Sequence, residues 1–201
     1  MAESATPTTR ERLLATTARL FRRHGYSGTG LNQVVAEAPA PFGSLYHHFP
    51  GGKTQLGVEA IALSGRGYVH LIDRVIGQAP DPFVGTERFF RLIADVLRDS
   101  GFADGCPIAT VSVEIAGTEP ALHNACGQVF ASWRAALANH LEGWVPEDER
   151  LALATSSLAA FEGAIILAQA ERDLTILDIT AATTVATLRA AERRTRTTRR
   201  T

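Results

Sequence analysis

Side chains capable of chemistry are scattered along this sequence, and their spacing decides which chemistries survive. Gly52-Lys53-Thr54 has the form of the end of a phosphate-binding loop, but that loop needs a glycine five positions before Gly52, where His47 stands. His47 and His48 are adjacent and diverge by about 100° on a helix, so their imidazoles do not converge on one metal. Cys106 and Cys126 show no CxxC spacing and have no nearby histidine at ligand spacing, which argues against a zinc site or a disulfide framework. Ser112, Glu114 and His123 have no spacing that suggests a triad, and no G-x-S-x-G elbow occurs. No enzymatic activity, metal or cofactor is therefore expected. Phe42-Gly43-Ser44 opens a short helical stretch after the breaks at Pro39 and Pro41. Small or polar side chains at the start of such a helix can reach base edges, and aromatic and basic groups nearby can hold phosphates.

The elements that must position these residues are helical. Apolar residues recur at steps of three and four almost everywhere, whereas alternating runs are scarce. The alternating run Thr110 to Ile115 has no partner strand and is read as helix. A first helix is expected from Thr8 to His24, stopped by Gly25. Short helices are expected from Leu31 to Ala38 and from Phe42 to Phe49, the latter ended by Pro50-Gly51-Gly52. A long helix runs from Lys53 to about Ile76. Beyond it, proline and glycine divide the rest into about five helices, including Pro120 to Gly143, Pro146 to Asp173 and Asp178 to Glu192. The spacing thus predicts an all-α protein of about nine helices. A three-helix helix-turn-helix domain (8–52) precedes a larger ligand-binding and dimerisation domain (53–192, with 53–76 as linking helix). The end, 193–201, has no apolar anchor and reads as a basic disordered tail.

Charge and composition agree with a nucleic-acid-binding head. Residues 1–53 carry six basic against three acidic side chains, although the whole chain of 201 residues has a net charge of −1. No run of the length and apolarity of a membrane span and no signal peptide is expected, so the compartment expected is the cytosol, without membrane contact. The helix from Pro146 to Asp173 is apolar on nearly its whole circumference and must be covered on two sides. One side suits the protein's own core; the other, rich in small residues, suits a second copy. Ala160, Ala164 and Leu167, with Ile179, Ala182 and Ala186 on the last helix, are the expected homodimer surface. Bulky side chains in the larger domain exceed what a small tight core needs and predict a ligand pocket. Its expected lining is Phe89, Phe90, Ile93, Leu97, Phe102, Ile108, Val111, Ser112, Trp133, Leu137, Phe161 and Ile165, with Asn124, Gln128 and Gln169 as further polar partners. The expected ligand is apolar or aromatic.

The segment Gly30 to Leu56, above all Gly43-Ser44-Leu45-Tyr46-His47-His48-Phe49 followed by Lys53, resembles the DNA-binding signature of the TetR family of transcriptional regulators. Gly105-Cys106-Pro107-Ile108 and the apolar stretch after it are similar to the LmrA/YxaF-like branch. The resemblance implies base contacts from Asn32, Gln33, Phe42, Gly43 and Ser44. It implies backbone contacts from Tyr46, His47 and Lys53, and Thr29 is expected to add a phosphate contact. Function is then expected to be repression, relieved when a small effector releases the dimer from a palindromic double-stranded operator. Pro39 stands where many members have glycine, so the turn must be built without a left-handed residue there. Phe42 offers an apolar contact to a thymine methyl in place of charge.

Overall fold

The computed structural model describes residues 7–198, with side chains through Arg196. Among these residues there are nine α-helices and no strand: α1 (Thr9–His24), α2 (Leu31–Glu37), α3 (Phe42–His48), α4 (Gly52–Gly77), α5 (Pro82–Asp99), α6 (Pro107–Glu114), α7 (Pro120–His140), α8 (Glu147–Glu171) and α9 (Thr175–Thr198).

The helix ends follow from local chemistry. Thr8 caps α1 through a reciprocal pair: its hydroxyl accepts from the Glu11 N–H, and the Glu11 carboxylate accepts from the Thr8 N–H. Gly25, at φ 66°, ends the same helix in a conformation that side-chain-bearing residues rarely adopt. Asp81 accepts from the Val84 N–H at 2.7 Å and sets Pro82 in the first turn of α5, where a missing N–H costs nothing. Three acids, Glu147, Asp148 and Glu149, lie at the positive end of α8.

The chain divides into two compact units. The first joins the described residues up to Arg66 with Pro107–Val129, and the second joins Gly67–Cys106 with Phe130 onward. This differs from a division at residue 52: α6 and the first half of α7 belong with the head, because α1 packs on α6 as well as on α2 and α3. In the first unit Leu13, Leu20, Phe21, Val34, Leu45, Phe49, Leu56 and Ile61 are fully buried. Gly57 allows close packing there, since a Cβ on it would lie 2.9 Å from Leu122. In the second unit Phe83, Leu141, Val145, Leu153, Val185, Leu188 and Ala191 form an apolar cluster, with Trp144 against it.

Two expectations fail along α8 and α9. The basic end is not a disordered tail from residue 193, because α9 continues to Thr198. Arg194 pairs with Glu149 at 2.5 Å and Arg196 with Glu192 at 2.6 Å, supplying the anchors that an apolar pattern cannot reveal. Residues 199–201 lie outside the described part. Helix α8 is also long and apolar enough by composition to cross a membrane, contrary to the reading that no such run exists. Leu153, Ala154, Leu158, Phe161, Ala164, Ile165 and Ala168 are buried along it, which makes it a core helix.

A costly carboxyl lies in the interior of the second unit. Burial pushes Glu162 up from 4.5 to about 7, against the opposing pull of the Cys106 thiol. A carboxyl with a raised pKa binds its proton more tightly folded than unfolded. Its contribution is therefore fully present below pH 4.5 and lost as the pH rises through about 7. The Glu162→Gln protein is expected to gain about 3 kcal/mol over the parent between pH 4.5 and pH 8, read by denaturant unfolding at several pH values. A constant difference across that range would show that folding leaves the Glu162 carboxyl at its ordinary value. Both cysteines are buried, and burial raises the Cys126 thiol to about 11, which leaves it poorly reactive.

Candidate nucleic-acid interface and apolar cleft

Helix α3 is seven residues long and has two distinct faces. Leu45 and Phe49 are fully buried in the head, whereas Phe42, Gly43, Tyr46 and His47 are exposed. Phe42 and Tyr46, one turn apart, meet edge to face with centroids 5.7 Å apart, so the outward face carries an ordered aromatic pair. Ser44 is half-buried beside them. On α2, Asn32 is exposed, while the half-buried Gln33 donates its amide to Glu37 at 2.9 Å.

The break between α2 and α3 is built without a left-handed residue. Ala38 ends α2 at φ −90°, ψ 11°, and its N–H donates to the Val34 carbonyl. The Ala40 N–H reaches back to Val35, and Pro41 at φ −61°, ψ 139° starts α3. Pro39 thus sits in the turn, where its missing N–H leaves these bonds intact.

Lys53 opens the long helix α4 from a half-buried position. Its Nζ lies 4.4 Å from the centroid of the Tyr26 ring, a cation–π contact. Burial draws the ammonium below the usual lysine range, and Glu114 and Glu119 act in the opposite direction. Thr29 departs from expectation: its side chain is buried, and its hydroxyl donates to the Gly25 carbonyl at 2.7 Å. That side chain closes the turn between α1 and α2, which is a structural task.

The second unit contains an apolar cleft with about 630 Å³ of atom-free space, its mouth included. Phe89, Phe90, Trp133, Leu137 and Phe161 line it. Phe161 touches both Phe89 and Phe90, with centroids 5.3 and 5.2 Å apart, and Tyr68 lies 4.9 Å from Trp133. The rest of the lining comes from Tyr68, Ile72 and Ile76 of α4, Pro82 and Thr86 of α5, His140 and Leu141, the α8 residues Ala154, Ser157 and Leu158, and Leu188 of α9. His140 is tied through Nε2 to Asp73 at 2.9 Å.

Residues 13–60 match the family profile described as bacterial regulatory proteins, tetR family, and residues 82–183 match that of the LmrA/YxaF-like transcriptional regulator C-terminal domain. The chain belongs to the TetR family. It is similar to the regulator YxaF of Bacillus subtilis, 37% identical over 84% of this chain and 88% of that one. LmrA of the same organism is 31% identical over 84% and 90% of the two chains. In fold it is similar to a TetR regulator from Legionella pneumophila, with a TM-score of 0.80, 20% identity and coverage of 91% and 98%. As a TetR-family member the protein is a DNA-binding transcriptional regulator, and the family is one of regulators, not enzymes.

Seven residues expected around a ligand do not line the cleft of this TetR-family protein. Ile93, Leu97 and Ile165 are buried in the second unit away from the lining, and Phe102 lies under the Arg172 guanidinium. Ile108, Val111 and Ser112 belong to α6 in the first unit, where the first two are core and the Ser112 hydroxyl donates to Ala109. Asn124 and Gln128 are exposed in the first unit, and Gln169 donates to the Phe102 carbonyl. Polar atoms at the cleft come instead from Tyr68, Thr86, His140 and Ser157. At the expected dimer surface Leu167, Ile179, Ala182 and Ala186 are exposed and Ala160 is half-buried. Ala164 is buried within the chain itself, because it falls on the core-facing side of α8.

Proposed function

We propose that this protein is a cytosolic repressor that binds a palindromic operator as a homodimer and is released by a small apolar or aromatic ligand. The outward face of α3 carries the reading: Phe42, Gly43, Tyr46 and His47 stand exposed on a helix pinned from behind by Leu45 and Phe49. Phe42, Gly43 and Ser44, with Asn32 and Gln33, read base edges. Tyr46, His47 and Lys53 hold phosphates. Exposed Leu167 and Ile179 on the last two helices meet a second copy. Two heads then enter successive major grooves, about 34–36 Å apart. The cleft takes the ligand, and its almost wholly apolar lining sets the ligand's class. Because linkage is reciprocal, ligand and operator weaken each other by one factor.

Selection of bound fragments from a randomised duplex library tests the reading. A palindromic consensus is the expected result; absence of enrichment at low salt would remove the operator claim. Lys53→Ala is expected to weaken binding to all sequences alike and to lower the slope of log affinity against log salt by about one. Ser44 and Phe42 substitutions are expected to change the consensus. An unchanged slope would exclude Lys53 from the phosphate contacts.

A further inference from the structure

The turn that follows α1 is held by a carboxylate from far along the chain. Glu114, the last residue of α6, accepts from the Tyr26 N–H through Oε2 at 2.7 Å and from the Ser27 N–H through Oε1 at 2.6 Å. Two successive N–H groups aimed at one anion form a nest, a concavity suited to negative charge. Gly25 is shaped to this carboxylate: a Cβ there would lie 2.4 Å from Oε2. Glu114 is an exposed residue, yet its carboxyl is held below the ordinary range. Burial alone would raise it, but the bonds from Ser27 and Tyr26 and the Lys53 charge prevail. The same Tyr26 presents its ring to Lys53 and has its hydroxyl 3.4 Å from Thr54 Oγ1, at the start of α4.

We propose that Glu114 is a positioning residue for DNA binding: by clamping the Tyr26 and Ser27 amides it fixes the turn after α1, and through the Tyr26 ring it fixes the Lys53 ammonium. The role of Lys53 at a phosphate rests on the function proposed above; the clamp itself does not. Helix α6 thereby sets the geometry of a DNA contact that it does not make. Charge alone predicts the opposite effect of losing Glu114, since removing an acid from a unit that binds a polyanion strengthens binding.

The sign of the effect makes the test sharp. Full-length parent, Glu114→Ala, Glu114→Gln, Lys53→Ala and the Glu114→Ala/Lys53→Ala double variant are titrated with a random-sequence duplex over a range of salt. Amide hydrogen exchange at Tyr26 and Ser27 is followed in the same proteins. Glu114→Ala is expected to bind about fivefold more weakly, the loss of charge-assisted bonds to backbone at an exposed site, and to lower the salt slope toward that of Lys53→Ala. Its Tyr26 and Ser27 amides exchange faster. Glu114→Gln, which keeps an accepting oxygen, recovers part of both affinity and protection. In the Lys53→Ala background Glu114→Ala costs little more. Binding equal to or tighter than the parent's in Glu114→Ala overturns the proposal, as do losses that simply add in the double variant. If Lys53→Ala alone leaves the slope unchanged, the phosphate reading of Lys53 fails. The clamp then survives only where Glu114→Ala both frees the amides and weakens binding.

Discussion

Phe49→Ala is expected to destabilise the first unit by about 3–5 kcal/mol and to abolish DNA binding with it. The ring is fully buried, and the Arg10 guanidinium covers one face at 5.2 Å. Arg10 also pairs with Glu59 of α4, so loss of the ring leaves a void beneath an ion pair that ties α1 to α4. Phe49 further ends α3, its N–H donating to Leu45 at 2.7 Å. A helix of seven residues cannot hold its own shape in water and depends on the core beneath it. Phe42→Ala on the same helix is the control. Phe42 is about half exposed, so its removal is expected to change stability by less than about 0.5 kcal/mol while altering sequence preference. Denaturant unfolding of both variants, followed by circular dichroism, checks the contrast. Equal destabilisation by the two would mean that α3 has no distinct core and reading faces.

Which parts were legible in the sequence follows from the range of the forces involved. The ends of α1, α2, α3 and α5 rest on Gly25, Pro39 and Pro41, Pro50, and Pro82, whose effects are confined to their own turn. The split between Leu45 and Phe49 inside and Tyr46 and His47 outside follows from helical spacing alone. The aromatic members of the cleft, such as Trp133 and Phe161, stood out by bulk. Contacts between distant residues left no mark of that kind. Glu114 lies 88 positions from Tyr26, in a stretch read as helix for want of a partner strand, and nothing in that stretch marks its partner. Tyr68 and His140 reach the cleft only because α4 and α7 run long enough to bring them there. Thr29 was misread because a threonine beside glycine bonds a carbonyl within its own turn as readily as it meets a phosphate. Ile108 and Val111 were grouped with the aromatic residues by hydrophobicity, a property that ranks burial without saying in which core it occurs.

The second large effect concerns the surface of α8 and α9. Ile179 and Leu167 are large apolar side chains, 65% and 51% exposed, and Ile166 at 56% adjoins Leu167. The exposed alanines 182 and 186 on α9 leave room for close approach of another helix. Covering such side chains contributes about 25 cal/mol for each Å² of apolar surface removed from water, whereas an ionised carboxylate buried there without a partner costs several kcal/mol. The Leu167→Glu/Ile179→Glu double variant is therefore expected to be monomeric at micromolar concentration, where the parent is expected to be dimeric, as read by sedimentation velocity. The consequence for DNA is larger than the change in either head. Two linked heads on a palindrome bind with an avidity of roughly 10²–10⁴ over one head, and the monomer forfeits all of it while keeping its affinity for a single half-site. Operator binding is expected to fall by at least about 100-fold, with half-site binding unchanged. A double variant that stays dimeric would move the seam elsewhere. A monomer that keeps full operator affinity would instead make the palindrome irrelevant to recognition, since nothing but the linkage between two heads distinguishes a palindrome from two independent half-sites.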